Sequence, residues 1–350
     1  MIEEQSPNRR FSEQAYREWA DEMHALYGVW GESAEKPLAV IVAGQPGAGK
    51  GPLTEDLCRW FADHGGCVAI DVNELLYLHP DYCLLIEEDY RTAGKAVRGD
   101  AMAVAEALFA TAMESRRNLL IDTTLEDTER ALEVVRLLHD SGYGTHVIVL
   151  CVQPESSWES LESRFDEQFA EMGVGRWVDE AAHDRGVTGL AAALSALESQ
   201  ELLDELDIIT RDGKRLLHCD RRSGFRLGTA RRVFAAGGES VEIEEASPAP
   251  AEPEKSQEEP DLPAERTITI AGGRKVILGD FTKKDRVPEP SVQPSDGPGG
   301  SDEVEEPRDL DDRTSAAPTE KELAAIEKRR ALQEKLRRRC GRTPPEESDV

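Results

Sequence analysis

Apolar and polar positions follow regular patterns up to about residue 236 and lose them beyond it. Residues 10–30 carry apolar groups at helical spacing and predict one amphipathic helix. Pro37–Gly44 (PLAVIVAG) is a short continuous apolar run, as expected of a parallel strand buried on both faces. Further strands are predicted at Cys67–Asp71, Asn118–Thr124, Thr145–Val152 and Asp207–Thr210. Between them, helices are predicted over Lys50–His64, Asp100–Ser115, Asp127–Ser141, Ser156–Met172 and Thr188–Ser199. Strands alternating with helices of this length predict an α/β fold, a parallel sheet with right-handed crossovers flanked by helices.

Beyond residue 236 the composition changes. Of 19 prolines, 13 lie after Gly238, and Glu239–Pro263 is acidic and nearly free of large apolar side chains. Such a segment cannot bury enough apolar surface to offset its ordering entropy, so it is expected to be disordered, and Pro288–Pro318 likewise. Within this acidic, Pro-rich extension, Thr267–Phe281 alternates around Gly272–Gly273 as a hairpin would, and Thr319–Arg339 has the composition of a charged helix. The expected organisation is an N-terminal helical segment (1–36), a core domain (37–236) and the extension (237–350).

The net charge of −28 opposes sequence-independent binding to nucleic acid or to an anionic membrane, so neither is an expected partner. The six cysteines stand at no metal-ligand spacing and mostly among apolar residues, which fits a reducing compartment. With no apolar N-terminal run, the expected location is cytoplasmic.

The candidate chemistry starts at Gly44-Gln45-Pro46-Gly47-Ala48-Gly49-Lys50, which matches GxxxxGK directly after a strand and at the opening of a helix. Glycines let backbone N–H groups curl around phosphate oxygens, the helix terminus adds a favourable dipole, and Lys50 neutralises the outer phosphates. The plain alternative is a Gly-rich turn with an incidental lysine. The next residue, whose hydroxyl would hold Mg²⁺, is Gly51, which has no oxygen to offer; Thr54, one turn along the helix, is the conceivable substitute.

Further along, the residues resemble the zeta-toxin family, P-loop kinases of bacterial toxin–antitoxin systems that phosphorylate UDP-N-acetylglucosamine. The resemblance runs through GQPGAGK, IDVNELLYLHPDY (Ile70–Tyr82), LLIDTT (Leu119–Thr124), SWESLESRF (Ser157–Phe165) and GRWVDEAAHD (Gly175–Asp184), in the family's order. It implies a P-loop kinase-like fold, ATP or GTP as phosphoryl donor with Mg²⁺, a sugar-nucleotide substrate and an antitoxin as partner. It also implies that Lys50 binds phosphate, that Arg164 and Arg176 clamp the transferring phosphoryl group, and that Glu106, Asp122 and Thr124 contact substrate. Asp122, shorter than the family's glutamate, is a second candidate metal ligand beside Thr54. For each arginine alone, a surface salt bridge is the plainer reading. For His79, fixing a turn is the plainer reading.

One departure bears on the reaction. Where the family has the aspartate that deprotonates the sugar hydroxyl, this chain has Asn73. An amide orients a hydroxyl but does not take its proton, and loss of a general base costs about 10²–10⁴ in rate. Asp71, two residues earlier on the predicted strand, would project to the same face and could stand in. Two readings follow: a small-molecule kinase, or an impaired pseudokinase that binds nucleotide and acts through a partner.

Overall fold

The structure, a computed structural model, describes residues 13–28, 31–172, 174–200, 202–221 and 223–237, with the backbone of 266–270 and 274–278. Six strands form one sheet: β1 (Leu38–Ala43), β2 (Val68–Asp71), β3 (Leu119–Thr123), β4 (Gly144–Cys151), β5 (Glu205–Thr210) and β6 (Arg215–Asp220). Their order is β2-β3-β1-β4-β5-β6. The first five are parallel, and β6 runs antiparallel to β5 at the edge.

The apolar runs are continuous because each central strand is covered twice. Along β1, Leu38, Val40 and Val42 pack with Leu53, Leu57 and Phe61 of helix α2 (Lys50–Ala62) on one face. Ala39, Ile41 and Ala43 join the larger cluster on the other. That cluster draws on α5 (Ala93–Glu114), α6 (Thr128–Asp140) and α8 (Glu180–Ser199). Asp127 and Asp179 cap α6 and α8, their side chains accepting from the N–H groups of Arg130 and Ala182.

Several elements differ from the sequence expectations. The helix expected over 10–30 is described as α1 (Glu13–Met23) followed by a π-helical turn at His24–Gly28. Two helices, α3 (Val72–Leu78) and α4 (Tyr82–Asp89), fill a stretch for which no element was expected. α5 starts seven residues before Asp100, at Ala93; its first two turns bury only Ala93 and Val97, and Lys95, Arg98 and two glycines around them mask the helical pattern. α7 (Pro154–Met172) matches its expectation closely, whereas α8 begins at Glu180, well before Thr188. β6 and α9 (Thr229–Ala235) were not expected. The segment read as a hairpin contains an antiparallel pair, β7 (Arg266–Ile270) and β8 (Arg274–Leu278). The helix expected over 319–339 lies outside the described residues. Among the described residues no helix is long and apolar enough to cross a membrane.

His79 explains how α1 is held. Its ring is fully buried, with Nε2 3.2 Å from Asp100 Oδ2 and Nδ1 accepting from Asp81 N at 3.2 Å. Trp19 packs edge-on against it, and Tyr16 donates to Asp81 Oδ2 at 2.5 Å. The HPDY segment is therefore a fastener between α1, α3, α4 and α5, with His79 and Asp81 buried in packing and Tyr82 reaching the edge of the cavity described below.

A second polar cluster staples the sheet edge. Asp207 on β5 is buried, accepting from His146 Nε2 on β4 at 2.8 Å and from His218 Nδ1 on β6 at 3.0 Å, with Arg215 Nε 3.2 Å away. Burial alone would raise its pKa, but both imidazoles and Arg215 outweigh it and hold the carboxyl well below its ordinary range. The bond to Asp207 raises His218 above its ordinary value, against a smaller opposing effect of burial. A raised histidine contributes stability that is complete below its unfolded pKa, about 6.5, and is lost as pH rises through the folded value. The depressed Asp207 contributes above about pH 4 and loses that contribution only in stronger acid. The melting-temperature gap between wild type and His218→Asn should therefore be widest near pH 6 and shrink toward pH 9. A gap that does not vary with pH in thermal-shift measurements would remove this assignment.

Candidate active site

The site forms where β1, β2 and β3 end together. The 44–51 loop leaves β1 and enters α2, with Gly47 and Gly49 at φ 80° and 90°. A Cβ on Gly47 would stand 2.1 Å from the Ser157 carbonyl oxygen, so only glycine fits there. Three of the expected loop residues face inward and do not line the cavity. Gln45 is fully buried and donates to Val152 O at 2.7 Å and to Ser157 Oγ at 3.4 Å. Ser157 Oγ lies 2.7 Å from His183 Nε2. Ala48 packs in the α2-side core, and Gly44 gives its carbonyl to Lys50 Nζ at 2.7 Å. These residues shape the loop; Pro46, Gly47, Gly49, Lys50 and Gly51 border the open space.

The remaining expected residues converge on one cavity of about 1280 Å³. Asp122, at the end of β3, stands beside Asp71 of β2 in register. Its Oδ1 is 3.7 Å from Lys50 Nζ and is buried without a hydrogen bond, while Oδ2 accepts from Thr54 Oγ1 at 3.3 Å. Burial drives its pKa upward, Lys50 partly offsets this, and the Asp71 charge adds to the rise. Thr54 and Asp122 together are hard oxygen donors of the kind Mg²⁺ takes, and the bare Oδ1 fits that use; Gly51 offers no side-chain oxygen.

Asp71 and Asn73 are related differently from the expectation. β2 ends at Asp71 and α3 starts at Val72, so strand alternation does not carry through to Asn73. Instead Asp71 caps α3, its Oδ1 accepting from the Asn73 N–H at 2.8 Å. The Asn73 amide oxygen accepts from Arg176 Nη2, which lies on the segment leading into α8. The Arg176 backbone N–H is held by Gln168 Oε1 of α7 at 2.8 Å.

Arg164, also from α7, lies beside Arg176. Its Nε and Nη2 are buried and have no hydrogen-bond partner, and burial, then the neighbouring Arg176 charge, lowers its pKa. Two close guanidiniums with donors unspent make a ready anion site. Thr124 also borders the cavity. Glu106 reaches the rim, where Arg130 Nη2 donates to it at 2.7 Å. Arg91, Lys95 and Arg98 form a further stretch of the cavity wall, with Arg91 over the rings of Tyr90 and Trp177 at 5.0 and 5.7 Å. Sequence reasoning missed this wall, which lies in the unpredicted α4–α5 region. It also missed Arg211, which follows β5 and donates to two loop carbonyls.

A strand, a glycine loop with its lysine, and a helix at the carboxyl edge of a sheet ordered β2-β3-β1-β4-β5 define a P-loop, kinase-like α/β protein. Residues 29–223 match the family model described as Zeta toxin, more than half of the 350 residues. The chain belongs to the zeta toxin family. It is 25% identical to toxin zeta of Enterococcus hirae over 186 residues, covering 53% of this chain and 64% of that protein. It is 27% identical to toxin PezT of Streptococcus pneumoniae serotype 4 over 182 residues, covering 52% and 71%. A solved structure from the PezAT chromosomal toxin–antitoxin system of Streptococcus pneumoniae shares the fold. Its TM-score is 0.56 at 21% identity, covering 68% of this chain and 92% of that one.

A buried guanidinium with unspent donors destabilises the ligand-free protein. Replacing Arg164 by methionine, which keeps the stem and drops the charge, should raise the ligand-free melting temperature, with a gain of about 1 kcal/mol. The same change should abolish stabilisation by a nucleotide triphosphate. A variant that melts below wild type would show that Arg164 has partners in solution.

Proposed function

We propose that this chain is a nucleotide-dependent phosphotransferase acting on the hydroxyl of a sugar nucleotide, UDP-N-acetylglucosamine by family resemblance, with ATP or GTP as donor. The observation that carries the proposal is that Lys50, Arg164 and Arg176 line one cavity, with buried donors of Arg164 unspent. Phosphoryl transfer needs little covalent help from the protein. It needs positive charge around three equatorial oxygens and alignment of the incoming and leaving oxygens. The acceptor oxygen bonds to the γ-phosphorus as the bond to the β-bridging oxygen breaks, and the hydroxyl proton must leave.

The loop amides and Lys50 hold the β- and γ-phosphates, and the two arginines bind the equatorial oxygens. Mg²⁺, when bound at Thr54 and Asp122, supplies further neutralisation of phosphate charge. With an amide at position 73, Asp71 is the carboxylate to receive the proton, and Asn73 orients the hydroxyl and Arg176. The wall of Arg91, Lys95 and Arg98, with its aromatic rings, favours an anionic acceptor bearing a ring to stack. Thr124 and Glu106 border the same space. The five described cysteines are all free, which supports a cytoplasmic setting. Resemblance to a toxin–antitoxin component supports an antitoxin as protein partner.

The competing reading, a pseudokinase acting through contacts, is favoured by Gly51 and Asn73 together. Turnover separates the two. Wild type incubated with Mg-ATP and UDP-N-acetylglucosamine should yield phosphorylated sugar nucleotide by mass spectrometry, and Lys50→Ala should yield none. Asn73→Asp should raise kcat by about 10²-fold or more, and adding Gly51→Thr should lower the magnesium needed for half-maximal rate. Thermal stabilisation by ATP without product, in wild type and in the double variant alike, would reject the kinase in favour of the pseudokinase.

A further inference from the structure

We infer that Arg211 is a positioning residue that locks the phosphate loop into its anion-binding shape. The inference rests on the nucleotide-binding reading above. Arg211 is the first residue beyond β5, in the turn toward β6, and that turn is pinned by Thr210 N to Lys214 O and Gly213 N to Thr210 O, both at 2.9 Å. From this rigid base the guanidinium reaches across to the loop. Nη2 donates to Gly47 O at 2.7 Å, Nε to Ala48 O at 3.2 Å, and Nη1 to Ser160 Oγ of α7 at 3.1 Å.

The geometry of the peptide unit gives these bonds their consequence. In a trans peptide the C=O and N–H point in opposite directions. Holding the Ala48 carbonyl on Arg211 therefore turns the Gly49 N–H to the side away from that guanidinium. Holding the Gly47 carbonyl outward goes with the Ala48 N–H closing on Gln45 O at 3.1 Å. The planes are not fixed by their own residues, because Gly47 and Gly49 flank them with positive φ and glycine crosses between conformations at little cost. A flipped 48–49 plane would aim a carbonyl at the phosphates and remove a donor. One planar cation with donors on three nitrogens prevents that from outside the loop, and a lysine would satisfy only one acceptor at a time.

The test uses the full chain, titrated calorimetrically with ATP and, separately, with inorganic tripolyphosphate, which has no base or ribose. Arg211→Gln should weaken both by the same factor, about tenfold or more, and Arg211→Lys should recover part of the loss. In turnover, the nucleotide KM should rise while kcat and the acceptor KM stay near wild type, the pattern of lost uniform binding. Weakening of ATP alone would make Arg211 a contact to base or ribose and overturn the inference. So would unchanged affinity in Arg211→Gln beside a wild type that binds. If Arg211→Gln does not fold, the comparison of Arg211→Lys with wild type on both ligands decides. Wild type that binds neither ligand would instead sink the nucleotide-binding reading itself.

Discussion

At the start of α2 the backbone N–H groups have no carbonyl partners within the helix, and the loop before them, with Gly47 and Gly49 at positive φ, borders the cavity. Everything else at the site is arranged around this concentration of positive dipole. β1 is a fully buried strand that delivers the chain to the right place. Gly47 and Gly186 allow α7 and α8 to close on the loop, since a Cβ on Gly186 would lie 2.6 Å from Pro46 Cδ. The buried Gln45–Ser157–His183 chain joins the two helices to the loop through their polar groups. A displaced loop would thus shift both arginine-bearing segments at once. The 44–51 loop and the arginine-bearing segments are a single mechanical unit.

That unit is expensive to keep empty. Asp122 is held where burial works against its ionised form, and Arg164 is held where burial and Arg176 both work against its charge. Such groups persist only because the surrounding core fixes them, here two layers of helix on a sheet with no polar side chain along β1. Cost of this kind concentrates where charge must later be met by a ligand. The Asp207 cluster shows the contrast: it is as deeply buried, yet each carboxylate oxygen has a partner, and it serves only to hold strands together.

β1, β2 and β3 were legible because each is an apolar run cut off by Gly or Asp, and a sheet covered on both faces demands such runs. The loop was legible because its spacing encodes backbone conformation directly. α3 and α4 were not. Around the site they bury Leu75, Leu76, Leu78, Tyr82, Leu84 and Ile86, so apolar residues occur on most sides and no stripe stands out. β6 was hidden because an edge strand is half polar: Leu217 and Cys219 are buried, whereas Arg215 and His218 stay partly in solvent while they reach Asp207. Asp71 shows how a correct residue can be reached by a wrong route, since its proximity to Asn73 comes from a helix cap and not from strand alternation. Arg211 carried no signal at all, because its partner Ala48 is 163 residues away and only the tertiary fold joins them.

The two departures from the kinase pattern do not simply weaken one function. An aspartate at position 73 would pair its full charge with Arg176 and compete with a phosphate for that guanidinium. The amide gives Arg176 one neutral acceptor and leaves its charge available, so the empty site is a better trap for anions and a poorer acceptor of protons. Glycine at position 51 acts in the same direction, removing an oxygen that would serve a cation while leaving every backbone donor in place. On the proposed reading, both changes preserve the electrostatics of binding and remove help from the steps that would follow it. On the proposed phosphotransferase reading, the two changes therefore bear on turnover more than on nucleotide binding.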